Sequence, residues 1–142
     1  GNFKEQLIDG NQVVEIKDVS VAVKRLDDFK LENIGFMKVD VEGFELEVLK
    51  GGAETIARHH PNIYIEIEQK HHQDMPISTI FDFILNLGYS GYFRFDQKLL
   101  PINQFTPALH QSKASDSIKN HYCGDFIFLP KNGPTTKQLD LD

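Results

Sequence analysis

The sequence predicts an α/β fold whose strands are joined by right-handed crossovers. Four largely apolar segments have the length and composition of strands, at residues 34–40, 62–68, 89–95 and 125–129. Helical patterns separate the first three of these segments, whereas a long polar connection separates the last two. We therefore expect strands and helices to alternate up to residue 95, and the last two strands to pair antiparallel at one edge of the sheet.

An N-terminal β ribbon is predicted ahead of this sheet. Residues 12–16 and 19–25 have the partial alternation of two short strands, with Lys17 and Asp18 as the turn between them. A short helical turn is expected at residues 26–29. The 34–40 segment that follows is mostly apolar, which is typical of a strand buried on both faces of a parallel sheet.

Two helices are predicted between the strands. Residues 44–58 carry an apolar stripe that Gly51 and Gly52 interrupt, so we expect a kink or two short helices. Residues 79–87 predict a second helix, with Ser78 as its N-cap and Gly88 as a left-handed C-cap. The polar stretch 106–121 predicts a long loop or a short irregular helix.

Composition excludes several classes of function. The chain has 142 residues and a net charge of −6, from 15 Lys and Arg against 21 Asp and Glu. It lacks the basic surface that nucleic-acid binding requires. No run of about 18 apolar residues is present, so no membrane span is expected. The single cysteine, Cys123, has no internal disulfide partner, which favours a reducing compartment and a cytoplasmic location.

A pair of carboxylates follows the first predicted strand of the sheet. Asp40 ends this strand, and Glu42 and Gly43 occupy the next turn. Ligands of open parallel sheets bind outside the carboxyl ends of the strands, where a carboxylate can bind a hydroxyl, act as a base or hold a metal. The alternative is structural, because an acidic residue before a helix commonly caps it, which stabilises the helix by about 0.3–2 kcal/mol.

The segment IGFMKVDVEGFELEVLKGGAETI, followed by PNIYIEIE, resembles the signature region of the FkbM-family methyltransferases. The resemblance extends back through VAVKRLDDFKLENI and, more loosely, forward, so that it covers about residues 12–130. It implies a Rossmann-like class I methyltransferase fold, with a seven-stranded sheet whose last strand is antiparallel. The four predicted strands would be the fourth to the seventh. Residues 1–131 would then be the C-terminal portion of the domain, and 132–142 a flexible tail.

The resemblance also implies S-adenosylmethionine as the cofactor and a hydroxyl of a small molecule, lipid or sugar as the methyl acceptor. Asp40 would line the methyl-transfer site, as both a catalytic and a cofactor-binding residue, and Glu42 would contact substrate or stabilise the loop. The family's glycine-rich cofactor turn and its ribose-binding acid have no counterpart in this sequence. We therefore expect a fragment that carries the substrate-side half of the site. We also expect it to form a homo-oligomer through the exposed edge of the 34–40 strand, unless the N-terminal ribbon covers that edge.

Two further side chains are candidates for catalysis. Glu66 lies near the end of the second predicted strand of the sheet, and His71, with His72 beside it, follows in the next loop, where a base is well placed. The structural alternatives are an ion-paired strand residue for Glu66 and solvated loop histidines. Lys38 is expected to lie on the opposite face of the strand from Asp40 and to be structural.

The two histidine pairs suggest a metal site as an alternative. His59–His60 and His71–His72 could join Asp40 and Glu42 around an ion, since imidazole and carboxylate suit zinc or manganese. However, adjacent loop histidines do not readily present both rings to one ion, and no HExxH spacing occurs. No metal site is predicted.

Two alternative functions remain open from the sequence. The chain could be a non-catalytic α/β module that oligomerises or binds a partner, which the lack of a cofactor turn favours. It could also be a metal-dependent hydrolase that uses Asp40, Glu42 and His71.

Overall fold

The computed structural model describes residues 8–9, 12–13, 19–112 and 122–135. The described strands form two sheets. The small sheet pairs β1 with β2 antiparallel, and the main sheet contains the other five strands in the order β3-β4-β7-β5-β6. The strands are β1 Ile8–Asp9, β2 Gln12–Val13, β3 Phe36–Val39, β4 Asn62–Glu66, β5 Tyr89–Phe95, β6 Lys98–Pro101 and β7 Asp125–Pro130.

The main sheet is mostly antiparallel in its pairings. Strands β3 and β4 run parallel, whereas β7 runs antiparallel to both β4 and β5. The predicted α/β class and the antiparallel pairing of the last two predicted strands are therefore confirmed. Their predicted position at an edge is wrong, because β7 lies between β4 and β5.

The strand of the main sheet that the sequence missed is β6, which forms the edge beyond β5 through a two-residue hairpin turn. Both turn residues, Asp96 and Gln97, have positive φ angles, of 47° and 63°, as a type I′ turn requires. The usual signal for such a turn is Asn-Gly or Asp-Gly. Because neither turn residue is a glycine, the sequence pattern did not reveal the hairpin.

Helices lie between the strands as expected. They are α1 Glu45–Gly51, α2 Ala53–His59, α3 Ser78–Asn86 and the short α4 Pro107–His110, with 3₁₀ turns at Leu26–Phe29, Gln69–His71 and Ile102–Gln104. The predicted break at Gly51 and Gly52 is confirmed as two helices. The break has a packing reason: a Cβ on Gly52 would lie 2.9 Å from Cδ2 of Leu26, so glycine there lets the 26–29 turn contact the helices.

The start and end of α3 test two predictions about capping. Ser78 is not the N-cap, because the helix already includes it and the capping residue is Ile77, which makes no side-chain capping bond. Gly88 has φ +90° and its N–H donates to the Leu85 carbonyl. The predicted left-handed end of the helix is therefore confirmed.

One face of the sheet carries the hydrophobic core. The parallel register pairs Met37 with Ile63 and Val39 with Ile65, so these side chains share a face. Helices α1 to α3 pack against it. The fully or nearly fully buried residues of this core include Val39, Leu49, Ile56, Ile63, Ile65, Ile80, Ile84, Phe93, Phe126 and Phe128.

Strand β3 differs from its prediction. It forms an edge of the main sheet, and Phe36 on its outer face is 64% exposed. The expected burial on both faces is therefore wrong, because Phe36 and Lys38 share the face opposite the core and both are exposed.

The predicted N-terminal ribbon is also different. Residues 19–25 form no strand, and Gln12–Val13 pairs with Ile8–Asp9 instead. A strand at 19–25 is therefore a wrong prediction. Residues 14–16 of the other predicted strand lie outside the described residues.

Two predicted irregular segments are described only in part. The 106–121 stretch contains the short helix α4, and residues 113–121 lie outside the described part. Of the predicted tail, residues 136–142 are likewise outside it, whereas Thr135 accepts a hydrogen bond from Nδ2 of Asn62 at 3.0 Å. Among the helices that the structure describes, none has the length and apolar character to cross a membrane.

Candidate functional site

A narrow cleft lies where β3 and β4 end, between the turn after β3 and the loop after β4. Its lining includes all four side chains that the sequence singled out, Asp40, Glu42, Glu66 and His71, together with Glu45 and Glu68. The cleft has a volume of about 10 Å³, no more than one water molecule needs. The predicted residues therefore converge, around a space that is nearly closed.

Asp40 stands at the open rim of this cleft. Its carboxylate forms an ion pair with Nζ of Lys38 at 3.0 Å. Lys38 therefore lies on the same face as Asp40, and the prediction of opposite faces is wrong because residues two apart on a strand point to the same side. Asp40 is also not a helix cap, since α1 begins at Glu45 after Phe44 and has no side-chain capping bond.

The turn after β3 has an unusual backbone. Glu42 has φ +44° and Gly43 φ +103°, a conformation that costs free energy for a non-glycine residue such as Glu42. Gly43 is required for a second reason: a Cβ there would lie 3.2 Å from the carbonyl oxygen of His71. The turn and the loop after β4 are thus in close backbone contact.

A buried pair of side chains joins these two segments. Oε2 of Glu45 lies 2.7 Å from Nε2 of His72, and the two side chains are only 2% and 4% exposed. The other oxygen of Glu45 accepts a hydrogen bond from the Gly43 N–H at 3.0 Å. His72 is therefore a structural partner of Glu45, and the pair holds the Glu42–Gly43 turn against the 69–72 loop.

Acidic and phenolic groups line the sheet face beside Asp40. Glu66 lies directly across from Asp125 on β7, a like-charge pair that is unfavourable. Burial raises the pKa of Glu66 above its usual value, and the charges of Asp40 and Asp125 raise it further. A hydrogen bond to Asp125, partial burial and nearby carboxylates raise the pKa of Tyr64 to about 12.

The loop after β4 supplies the other side of the cleft. Glu68 forms an ion pair with Lys70 and lies 3.8 Å from Nε2 of His71. Although burial acts in the opposite direction, hydrogen bonds from Lys70 and Tyr122 hold the pKa of Glu68 below its usual value. His71 thus lies beside the Glu68 carboxylate at the border of the cleft.

The metal hypothesis gains no support from this geometry. His59 and His60 lie at the end of α2 and line a different cavity, of about 640 Å³, with Asn62 and the 130–135 segment. His72 is engaged by Glu45. Within the described ranges, no group of three His, Cys, Asp or Glu side chains is arranged to hold a metal ion.

Sequence reasoning missed two members of the site, Glu45 and Glu68. Both are acids, and only their contacts distinguish them from surface residues. Glu45 sits three positions after Glu42 on the first turn of α1, and its burial depends on His72, 27 residues later. No local pattern in the sequence indicates such a pair.

The chain was compared with known proteins in three ways. The model of the family described as the methyltransferase FkbM domain matches residues 3–90, which is more than half of the chain. The matched range contains the turn after β3, the buried Glu45–His72 pair and the strand β4, whereas β5 from residue 91 onward, β6 and β7 lie beyond it. No match was found among curated proteins or among solved structures.

Proposed function

Because the chain belongs to the FkbM methyltransferase family, we propose that the Asp40–Glu42–Glu66–His71 cleft is the acceptor side of a methyl-transfer site. The donor would be S-adenosylmethionine, and the acceptor a hydroxyl of a small molecule or a carbohydrate. The observation that supports this most is the convergence of all four side chains on one cleft at the ends of β3 and β4, where sheets of this kind bind ligands.

The strand order supports the proposed fold. The succession β3-β4-β7-β5, with only β7 reversed, agrees with an assignment of these strands as the fourth, fifth, seventh and sixth of a Rossmann-like class I methyltransferase sheet. The cytoplasmic location is part of the same proposal. It is supported by Cys123, the single cysteine of the sequence, which is buried and forms no disulfide, as expected in a reducing compartment.

Of the cofactor, the described residues match only the charge of its reacting end, because the cleft has room for no more than one water molecule. A cleft of about 10 Å³ lined by carboxylates does not accommodate an adenosine or a second carboxylate, but it does suit a positive charge. When bound, S-adenosylmethionine supplies a methyl group on a positively charged sulfur. The adenosine and methionine parts would need residues other than those of this cleft, consistent with a chain that carries the substrate-side half.

Glu66 is the best candidate for the base in this site. Its raised pKa makes it a stronger base than an ordinary carboxylate. It would accept the proton of the acceptor hydroxyl as the oxygen forms its bond to the methyl carbon. Asp40 and Glu42 would orient that hydroxyl from the opposite side of the cleft, which lowers the barrier by alignment, and His71 beside Glu68 is the second candidate for the base.

Calorimetric titration with S-adenosylhomocysteine tests the cofactor part of the proposal. The titration is carried out on this chain and on a longer version encoded by the same gene. We expect the longer protein to bind S-adenosylhomocysteine, whether or not this chain also binds it. If neither binds, dependence on S-adenosylmethionine is contradicted.

The catalytic roles are tested by substitution in whichever version transfers methyl groups. Glu66→Gln removes the base without changing the side-chain shape, and we expect a rate loss of about 100-fold. Glu47→Gln is the matched control, because Glu47 is an exposed acid on α1 that does not line the cleft. Equal rates for the two variants would rule out Glu66 as the base.

A second candidate function is a non-catalytic module that binds a partner or oligomerises. The small volume of the cleft favours it. The two functions differ in one observable: a binding module would show no saturable affinity for S-adenosylhomocysteine in either version of the protein, yet would remain folded and would associate.

A further inference from the structure

A larger cavity lies beside α3, near the turn that borders the carboxylate cleft. It has a volume of about 330 Å³, at the lower end of the range of small-molecule sites. Its lining residues come from the 3₁₀ turn after β4, from the start and middle of α3, and from the segment that follows β6. An apolar cavity of about 150 Å³ is enough to hold benzene, so this one has room for a ring with a short chain.

The lining of this cavity is mostly apolar. Ile77, Phe81 and Phe105 are its buried members, and the half-buried Leu85 and Ile102 also line it. The rings of Phe81 and Phe105 meet edge to face, with their centroids 5.6 Å apart, an arrangement that a further ring can join. Because water finds few hydrogen-bond partners on such a surface, an apolar group that displaces it is bound favourably.

The polar groups of the lining give a charged ligand little to bind. The side-chain oxygen of Gln69 accepts a hydrogen bond from the Ile77 N–H at 3.1 Å. Its Nε2 donates to the carbonyls of His72 and Met75, at 2.7 and 2.9 Å. Asp82 is the one charged residue among the described residues of the lining, and it is exposed to solvent. The cavity therefore suits an uncharged apolar group, since a charge inside it would be desolvated without a partner.

Gln69 also joins the cavity to the carboxylate cleft. It directly follows Glu68 and precedes His71 by two residues, and both of these line the cleft; consecutive Cα atoms are about 3.8 Å apart. Gln111 supports the same turn, because its Oε1 accepts from the Gln69 N–H at 2.8 Å and its Nε2 donates to the Ile67 carbonyl at 2.7 Å. The cleft and the cavity are thus neighbouring sites that share one turn of the chain.

We propose that this cavity binds an uncharged apolar group, such as an aromatic ring, of the same acceptor whose hydroxyl enters the carboxylate cleft. The inference rests on the proposed function, because it is the methyl acceptor that must place a hydroxyl among the carboxylates. It narrows the acceptors to hydroxyl compounds with a compact apolar substituent. The cavity is then the part of the site that determines which acceptors bind.

Phenylethanol and its homologues with longer linkers between ring and hydroxyl test the proposal on the whole chain, without cofactor. Each alcohol is titrated into the protein while the methyl signals of Ile77, Leu85 and Ile102 are followed by NMR. We expect every homologue to shift these signals, with a dissociation constant at least tenfold lower than that of ethanol, because the ring leaves water. At one linker length or more, the backbone amides of Glu68 and His71 should shift as well.

Leu85→Trp fills the cavity, and Leu87→Trp is the matched control. Leu87 is also a half-buried leucine, at the C-terminal end of the same helix, but it does not line the cavity. We expect Leu85→Trp to weaken the binding of phenylethanol at least tenfold and Leu87→Trp to leave it unchanged, with circular dichroism to check that both variants fold. Equal affinities of the two folded variants would overturn the proposal. If Leu85→Trp does not fold, the methyl shifts in the parent protein decide the question.

The outcomes separate this inference from the proposed function. If no alcohol shifts the methyl signals of the cavity, the inference is overturned, whatever the titration with S-adenosylhomocysteine shows. Shifts in the cavity without a shift at Glu68 or His71, at any linker length, would mean that the cavity binds apolar compounds but not the acceptor, which also overturns it. Shifts at both places support the inference, and if neither version of the protein then binds S-adenosylhomocysteine, it is the proposed methyl transfer that fails.

Discussion

Replacing Glu45 by alanine should destabilise the protein more than any other single change in the candidate site. The substitution removes the 2.7 Å contact with His72 and the 3.0 Å hydrogen bond from Gly43. His72 is then left buried without this partner, and loss of one member of a buried pair costs about 3–5 kcal/mol. Because a domain of this size has a free energy of unfolding of about 5–15 kcal/mol, the loss is a large fraction of the total.

Urea denaturation followed by circular dichroism measures this loss. With a slope of about 1–3 kcal/mol/M, a loss of 3 kcal/mol lowers the midpoint by about 1–3 M. Glu45→Gln keeps the side-chain volume and an oxygen for the Gly43 N–H, so we expect about 1–2 kcal/mol, which remains measurable if the alanine variant does not fold. Glu47→Ala, an exposed acid on the same helix, should stay within about 0.5 kcal/mol of the parent. The reasoning is refuted if Glu45→Ala falls within that same range.

Asp27→Asn should lower the free energy of unfolding by about 1 kcal/mol at neutral pH, because the carboxylate caps the first turn of α2. Although burial opposes the shift, those hydrogen bonds hold the pKa of Asp27 in the folded protein below its usual value of 3.8. The loss of stability in the variant should therefore persist above about pH 4 and fade as the pH falls through the pKa of folded Asp27. A loss of stability that stays constant down to pH 2 would contradict this. Gly52→Ala should lower the free energy of unfolding by about 1–3 kcal/mol, measured by thermal unfolding, because its Cβ would lie 2.9 Å from a leucine carbon of the 26–29 turn. Gly35→Ala should change stability little, because the space around Gly35 is open. Equal effects of the two substitutions would disprove the packing argument. Asp40→Asn should lower the pKa of Glu66, since the Asp40 charge raises it, and a ¹³C NMR titration showing an unchanged or higher pKa would count against the cluster.

The strands of the main sheet could largely be predicted, because apolar and aromatic side chains predominate in them or alternate with polar ones. The 62–68 and 89–95 segments contain β4 and β5, and the predicted start of β7 at Asp125 is confirmed. The pattern did not indicate the order of the strands in the sheet. A strand's composition indicates burial, but which neighbours bury it depends on contacts far along the chain, so the central position of β7 was not predicted.

The 19–25 segment shows the limit of the same reasoning. Its alternating valines have the composition of a strand, yet a strand also requires pairing with a neighbouring strand, and residues 19–25 pair with none of the described strands. For the candidate site, position was predictable because the ends of β3 and β4 lie side by side at one edge of the sheet. The Glu45–His72 pair that supports the site was not predictable, because the two residues lie 27 positions apart and no local pattern in the sequence links them.

The central position of β7 has a consequence for how the protein is made. Strands β4 and β5 both pair with β7 and not with each other, so each lacks a neighbour until residues 125–130 have been synthesised. While the ribosome is still adding the last part of the chain, the nascent sheet is divided into two separate halves, β3-β4 and β5-β6, with unsatisfied backbone groups facing the gap. Such exposed strands favour aggregation during synthesis. Closure therefore waits for the final strand, and a stop codon anywhere before residue 125 should yield an insoluble product rather than a smaller domain.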